Sequence, residues 1–104
     1  MKLRETLPQI LDMGARVLAI SSDLRDDAAR MAAELGPHVV VLSDPAMRVI
    51  VLYGMKAHNM AMAEMGYVVI DAGGRIRARR IDREMGEHAQ DIIKAVRQSA
   101  APAA

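Results

Sequence analysis

The sequence predicts one α/β domain with about four strands and four helices. Three observations carry this. Apolar runs of strand length alternate with segments of helical periodicity, which implies a layered architecture. The run at 39–42, Val-Val-Val-Leu, has no polar alternation, as expected of a strand covered on both faces. Residues 66–80 read as two short strands around Asp71, Ala72, Gly73 and Gly74, a turn composition.

Each element follows in order. Residues 2–13 place Leu3, Leu7, Ile10 and Leu11 on one helical face, with Gly14 as the stop. Pro8 falls inside that pattern and either starts the regular helix or kinks it. Residues 16–20 read as a buried strand. Ser22 or Asp23 is the expected cap of a helix through Leu35, closed by Gly36. After the strand at 39–42, Ser43-Asp44-Pro45 pairs a cap with a first-turn proline and starts a helix to Tyr53. In the hairpin, Val68, Val69 and Ile70 form one strand, and residues 75–79 alternate arginine with Ile76 and Ala78. A last helix is expected at about 87–98, with Glu84, Glu87 and His88 near its start, where the helix dipole favours the acids. The domain is expected to occupy residues 1–98, followed by a frayed tail of small residues at 99–104.

Composition excludes more than it assigns. The chain of 104 residues carries 14 basic and 13 acidic side chains, a net charge of +1, so no nucleic-acid footprint is expected. No apolar run can span a bilayer and no signal-peptide core opens the chain, so no membrane partner is expected and the cytoplasm is the default compartment. Tyr53 and Tyr67 are the only aromatics, so the core must be aliphatic and methionine-filled. Arg75, Arg77, Arg79 and Arg80 form a basic strand. They read as a solvated edge whose charges discourage edge pairing rather than as an anion site.

Three segments, in this order, resemble one family. Gly14-Ala-Arg-Val-Leu-Ala-Ile-Ser-Ser-Asp23 has the form of a strand ending in Ile-Ser-x-Asp before a helix. Val41-Leu-Ser-Asp-Pro45 is followed by Leu52-Tyr-Gly54. Residues 67–77 read Tyr-Val-Val-Ile-Asp-Ala-Gly-Gly-Arg-Ile-Arg. Together these are similar to the peroxiredoxin-like (alkyl hydroperoxide reductase/thiol-specific antioxidant, or redoxin) branch of the thioredoxin fold. The resemblance covers the family's C-terminal half to two-thirds. It implies a three-layer, thioredoxin-like domain and an antioxidant oxidoreductase setting. The family's corresponding first helix often contains a proline such as Pro8.

The departures matter more than the matches. The family's chemistry needs a cysteine thiolate, and this chain has no cysteine. A methionine thioether has no ionisable proton and cannot take its place. Many members carry an arginine or proline just before the strand that Tyr67 resembles; here that neighbourhood is Ala63-Glu-Met-Gly66, and no motif gives Arg48 such a role. From this chain no thiol peroxidase activity, no catalytic residue and no cofactor is expected. Residue 1 falls in what resembles the helix after the family's catalytic cysteine, so the central strand before that cysteine has no counterpart. Its loss leaves two strand edges whose backbone groups, if buried unpaired, cost about 1–3 kcal/mol each. Either the strands around Val17 and Val69 pair directly, or a second copy covers the gap. The apolar surface left over favours a homodimer.

One local feature stands apart. Residues 55–65 hold Met55, His58, Met60, Met62 and Met65. Thioethers with an imidazole suit Cu(I), which makes these five the candidate metal ligands. The fold family includes copper chaperones, but those hold the metal with paired cysteines. The plainer alternative is that the methionines fill gaps against the body of the domain, and a third is an adaptable protein contact. Elsewhere, His38 reads as a turn residue and His88 lacks metal-ligand company. Gly73-Gly74 precedes a strand rather than a helix, so it is no phosphate loop. Asp23 and Asp44 read as helix caps, not as a catalytic pair. Two readings follow. The chain is a catalytically inactive redoxin-like module that dimerises, or it is the C-terminal part of a longer cysteine-dependent peroxidase or disulfide reductase with an upstream catalytic segment.

Overall fold

The computed structural model describes residues 2–100. Among these the chain forms α1 (Lys2–Asp12), β1 (Val17–Ser21), α2 (Arg25–Leu35), β2 (Val39–Ser43), α3 (Arg48–Leu52), β3 (Gly66–Ile70), β4 (Ile76–Ile81) and α4 (Ala89–Ala100). Four helices and four strands agree with the α/β, thioredoxin-like class expected from the sequence. The strands form two separate two-stranded sheets, β1 with β2 and β3 with β4. Direct pairing of the strands around Val17 and Val69 is therefore not formed: Val17 lies opposite Val39 and Val69 opposite Ala78. The chain divides into two compact units, Arg16–Glu64 and a second built from Met1–Ala15 with Met65–Ala104.

In the unit Arg16–Glu64, β1 and β2 run parallel, with Leu18 opposite Val40 and Ile20 opposite Leu42. A parallel pair needs a crossover connection, here α2, which packs on β2 and buries Ala28. Strand side chains alternate between faces, so the α2 side takes Val39, which is buried. The opposite side carries Leu18, Ile20, Val40 and Leu42, exposed by 59%, 36%, 54% and 44%. The expected cover on both faces of this strand is thus corrected. The run lacks alternation because both faces are apolar, yet one of them meets water.

Two helix starts differ from expectation. Neither Ser22 nor Asp23 caps α2; Leu24 occupies the cap with no side-chain bond, and the helix begins at Arg25. The Asp23 carboxylate instead turns back to the strand end, accepting from Ser21 Oγ at 2.7 Å. Asp44 does cap α3, accepting from the amides of Arg48, Val49 and Ile50 at 3.1, 2.9 and 2.9 Å. Pro45 is not in the first helical turn. It sits in a turn closed by Met47 N donating to Asp44 O, with Met47 at φ 62°, so α3 is a five-residue helix from Arg48 to Leu52.

In the second unit, α1 holds Pro8 inside the helix and stops at Gly14, whose φ is 83°. Leu7 and Ile10 are buried, Leu11 is half-buried, and the Leu3 side chain lies outside those described. α4 packs on α1, β3 and β4 and buries Ile92, Ile93 and Val96. The hairpin turn is held by Asp71: its Oδ1 accepts from Gly73 N at 2.9 Å and Arg75 N at 3.0 Å. The backbone amide of Arg75 is the main reason the Asp71 carboxyl titrates below its usual range. The last helix starts at Ala89, two residues after the expected start, so Glu84 and Glu87 precede it and its first-turn acid is Asp91. α4 runs through Ser99 to Ala100, overlapping the expected tail; the rest of that tail lies outside the described residues.

Candidate functional site

The loop after α3 is closed by its own backbone. Lys56 and Ala63 form an antiparallel bridge, Glu64 N donates to Met55 O, and Ala57 N donates to Met62 O at 2.9 Å. Asn59 takes the left-handed conformation at φ 62°, one that asparagine tolerates and a tight loop needs. The Lys56 ammonium fills the inside of the turn, donating to Ala57 O and Met60 O at 3.1 Å each. A lysine head is thus the cation that these carbonyls hold.

The five candidate ligands fall into different surroundings. Met55 is buried at 8% exposure, beside Ala57 at 7%, so it belongs to the core of its unit. His58 is exposed, as are Met60, Met62 and Met65, at 57%, 47% and 52%. The loop's backbone ring brings residues 55–64 together; Met65 opens the following unit. Among the described residues no cluster of three or more histidine, cysteine or acidic side chains is placed to hold a metal ion.

A second cluster escaped sequence reasoning. His88 donates from Nδ1 to Asp82 Oδ2 at 2.6 Å, and the other Asp82 oxygen accepts from Glu84 N at 2.9 Å. The His88 hydrogen bond is the chief cause that lowers the Asp82 pKa, and the same bond raises that of His88. Their six-residue separation is not a spacing at which side chains meet along a helix, where neighbours are three or four apart, and residues 82–88 form no strand. Only the turn chemistry of residues 82–88 hinted at it.

The basic strand is partly neutralised. Arg77 pairs with Asp71 and Arg80 with Asp91, both at 3.5 Å. Tyr67, Arg80, Asp91, Lys94 and Gln98 line a shallow groove between the hairpin and α4.

The order of elements, the Asp44 bonds to the α3 amides and the Asp71 turn reproduce the layout that the sequence motifs suggested, and a family model decides the matter. The model of the AhpC/TSA family matches residues 1–79 of the 104. The chain belongs to the AhpC/TSA family. No curated protein matches it. The matched span takes in α1 through most of β4 and leaves α4 beyond it. As an AhpC/TSA redoxin domain it is cysteine-free, so the thiolate that the family's chemistry uses has no candidate in this chain. Among the described residues no helix is long and apolar enough to cross a membrane.

Proposed function

We propose that this chain is an AhpC/TSA-type module that carries out no thiol chemistry and works as a homodimer. The exposed aliphatic face of the β1–β2 pair carries the reading. Leu18, Ile20, Val40 and Leu42 stand in register on one uncharged face. A parallel pair is normally covered on both sides, so an uncovered face of this kind asks for a partner. A patch without charge is complementary to itself, which suits a two-fold interface with a second copy. Such an interface needs about 800 Å² per partner, so the neighbouring surface must join these four residues. The test is light scattering at micromolar concentration on the chain and on Leu18→Lys/Leu42→Lys. A dimer that the double variant converts to monomer supports the reading, and a monomeric parent ends it. A peroxide-reduction assay with a thiol reductant should show no turnover above background. The cytoplasm remains the proposed compartment, from the sequence alone.

A second reading is favoured by the sheet topology. Among the described residues β1 is hydrogen-bonded to β2 and β3 to β4, and each two-stranded pair keeps open edges that a further strand can join. Here the chain is the C-terminal part of a longer cysteine-dependent peroxidase or disulfide reductase, whose further segment supplies strand and cysteine. Intact mass from the source cells separates the two: 11.3 kDa supports the first, and a heavier, cysteine-containing chain supports the second. Cu(I) binding at Met55, His58, Met60, Met62 and Met65 is the third. A competition titration with no binding tighter than micromolar ends it, and the burial of Met55 speaks against a site that uses all five.

A further inference from the structure

Methionine burial is strongly uneven along the chain. Met47 and Met55 are only 7% and 8% exposed, while Met13, Met31 and Met85 are half-buried. The exposed thioethers among the described side chains are Met60, Met62 and Met65, at 57%, 47% and 52%. They fall within six residues, and no cysteine is present to compete for an oxidant. We propose that Met60, Met62 and Met65 are the sites at which a hydroperoxide oxidises this chain, reversibly, to methionine sulfoxide.

The chemistry needs nothing beyond the thioether and the oxidant. The sulfur lone pair attacks the terminal peroxide oxygen, an S–O bond forms and the O–O bond breaks. Sulfur loses two electrons, and the peroxide leaves as water or alcohol after the hydroperoxide proton moves to the departing oxygen. Susceptibility follows solvent access to the sulfur. The loop is built to tolerate the product, because its closing bonds involve the backbone of Met60 and Met62 rather than their side chains. Oxidation therefore turns a soft apolar surface into a polar one without opening the ring. This inference is independent of the proposed dimer and of the chain's relation to any longer enzyme.

The test is a time course of the purified protein with hydrogen peroxide, read by peptide mapping. Sulfoxide should form first at Met60, Met62 and Met65, with Met47 and Met55 at least about tenfold slower, since they react only after local opening. Methionine sulfoxide reductases should return the early product to the unmodified mass. In Met60→Leu/Met62→Leu, two of the three fast oxygen additions should vanish and the Met65 addition should remain. Equal rates at buried and exposed methionines, or protection of residues 60–65 in the native protein, overturns the proposal. Circular dichroism of the double variant checks that a changed rate is not a changed fold.

Discussion

The two sheets of this chain are built from strands of similar length and present different side chains to water. The β3–β4 hairpin is closed locally by Asp71, and on β4 arginine alternates with smaller or apolar side chains along the strand. Its charges are partly matched, Arg77 to Asp71 and Arg80 to Asp91. The β1–β2 pair is closed over a long crossover, and its strand ends are tied by Asp44 N to Ser21 O at 2.7 Å and Ser43 Oγ to Asp23 O at 2.6 Å. It is aliphatic on both faces although one face is open. The contrast bears on where the proposed second copy would dock. The hairpin also exposes Ile70, Ile76 and Ile81, by 46%, 52% and 48%, but arginines interrupt them along β4, whereas the four exposed aliphatic residues of the parallel pair share one face without a charge.

The largest expected effect tests this contrast with the same kind of deletion on each side. Ile93, 2% exposed on α4, sits in the core beside the hairpin. Ile93→Ala should cost about 2–5 kcal/mol in urea unfolding. Leu42, 44% exposed on the open face, should cost well under that when cut to alanine in dilute monomer. If Leu42→Ala proves as costly as Ile93→Ala, the face is covered in solution and the contrast fails for the free chain.

Next come the two aspartates that read alike in the sequence. Asp44 satisfies three amides at the start of α3, so Asp44→Ala should cost about 0.5–2 kcal/mol. Asp23 caps nothing, is exposed and bonds only to the neighbouring Ser21 hydroxyl through its carboxylate, so Asp23→Ala should stay within about 0.5 kcal/mol of the parent. Thermal and urea melts of both variants measure the difference, and equal losses would restore Asp23 as a cap.

These pairs also mark what the sequence could and could not tell. Helix and strand order, the Gly14 and Gly36 stops and the Asp71 turn were legible because each rests on local chemistry: periodicity, positive φ and turn propensity. The choice between Ser22, Asp23 and Leu24 as the start of α2 was not. A short polar side chain can serve the strand before it as well as the helix after it, and propensity does not rank the two. The open face of β2 was hidden for a different reason, since an unbroken apolar run looks the same whether its second face is covered or waiting for cover. Of the candidate ligands, the residue types were legible, but the division between buried Met55 and exposed Met60 and Met62 depends on the bridge from Lys56 to Ala63.

A smaller effect probes the open face directly. Leu42→Lys should leave the monomer's urea midpoint almost unchanged, within about 0.5 kcal/mol, because its side chain already reaches water. The matched change in the other unit, Val96→Lys, places a charge at a site 9% exposed and should unfold the chain or shift its midpoint strongly. Similar losses for the two would erase the distinction between an open and a closed side.

The smallest effect belongs to Asp82 and His88, which hold the turn leading into α4. The Asp82 pKa is lowered, first by the His88 hydrogen bond, so its contribution is present above the ordinary carboxylate pKa and lost as pH falls through the folded value. The His88 pKa is raised, first by the same bond, so its contribution is full below the ordinary imidazole pKa and lost as pH rises through the folded value. Both therefore act together between about pH 4 and 6.5. Protection of the amides at the start of α4, taken relative to their intrinsic exchange at each pH, should be greatest in that window and fall on either side. His88 should titrate above free histidine by NMR, and Asp82→Asn should bring it back while flattening the alkaline limb of the exchange profile. An unchanged His88 midpoint in Asp82→Asn would mean that the pair is a contact without a working charge. The hairpin unit would then depend on apolar packing and the Asp71 turn alone, much as the parallel unit depends on α2 and the Asp44 cap.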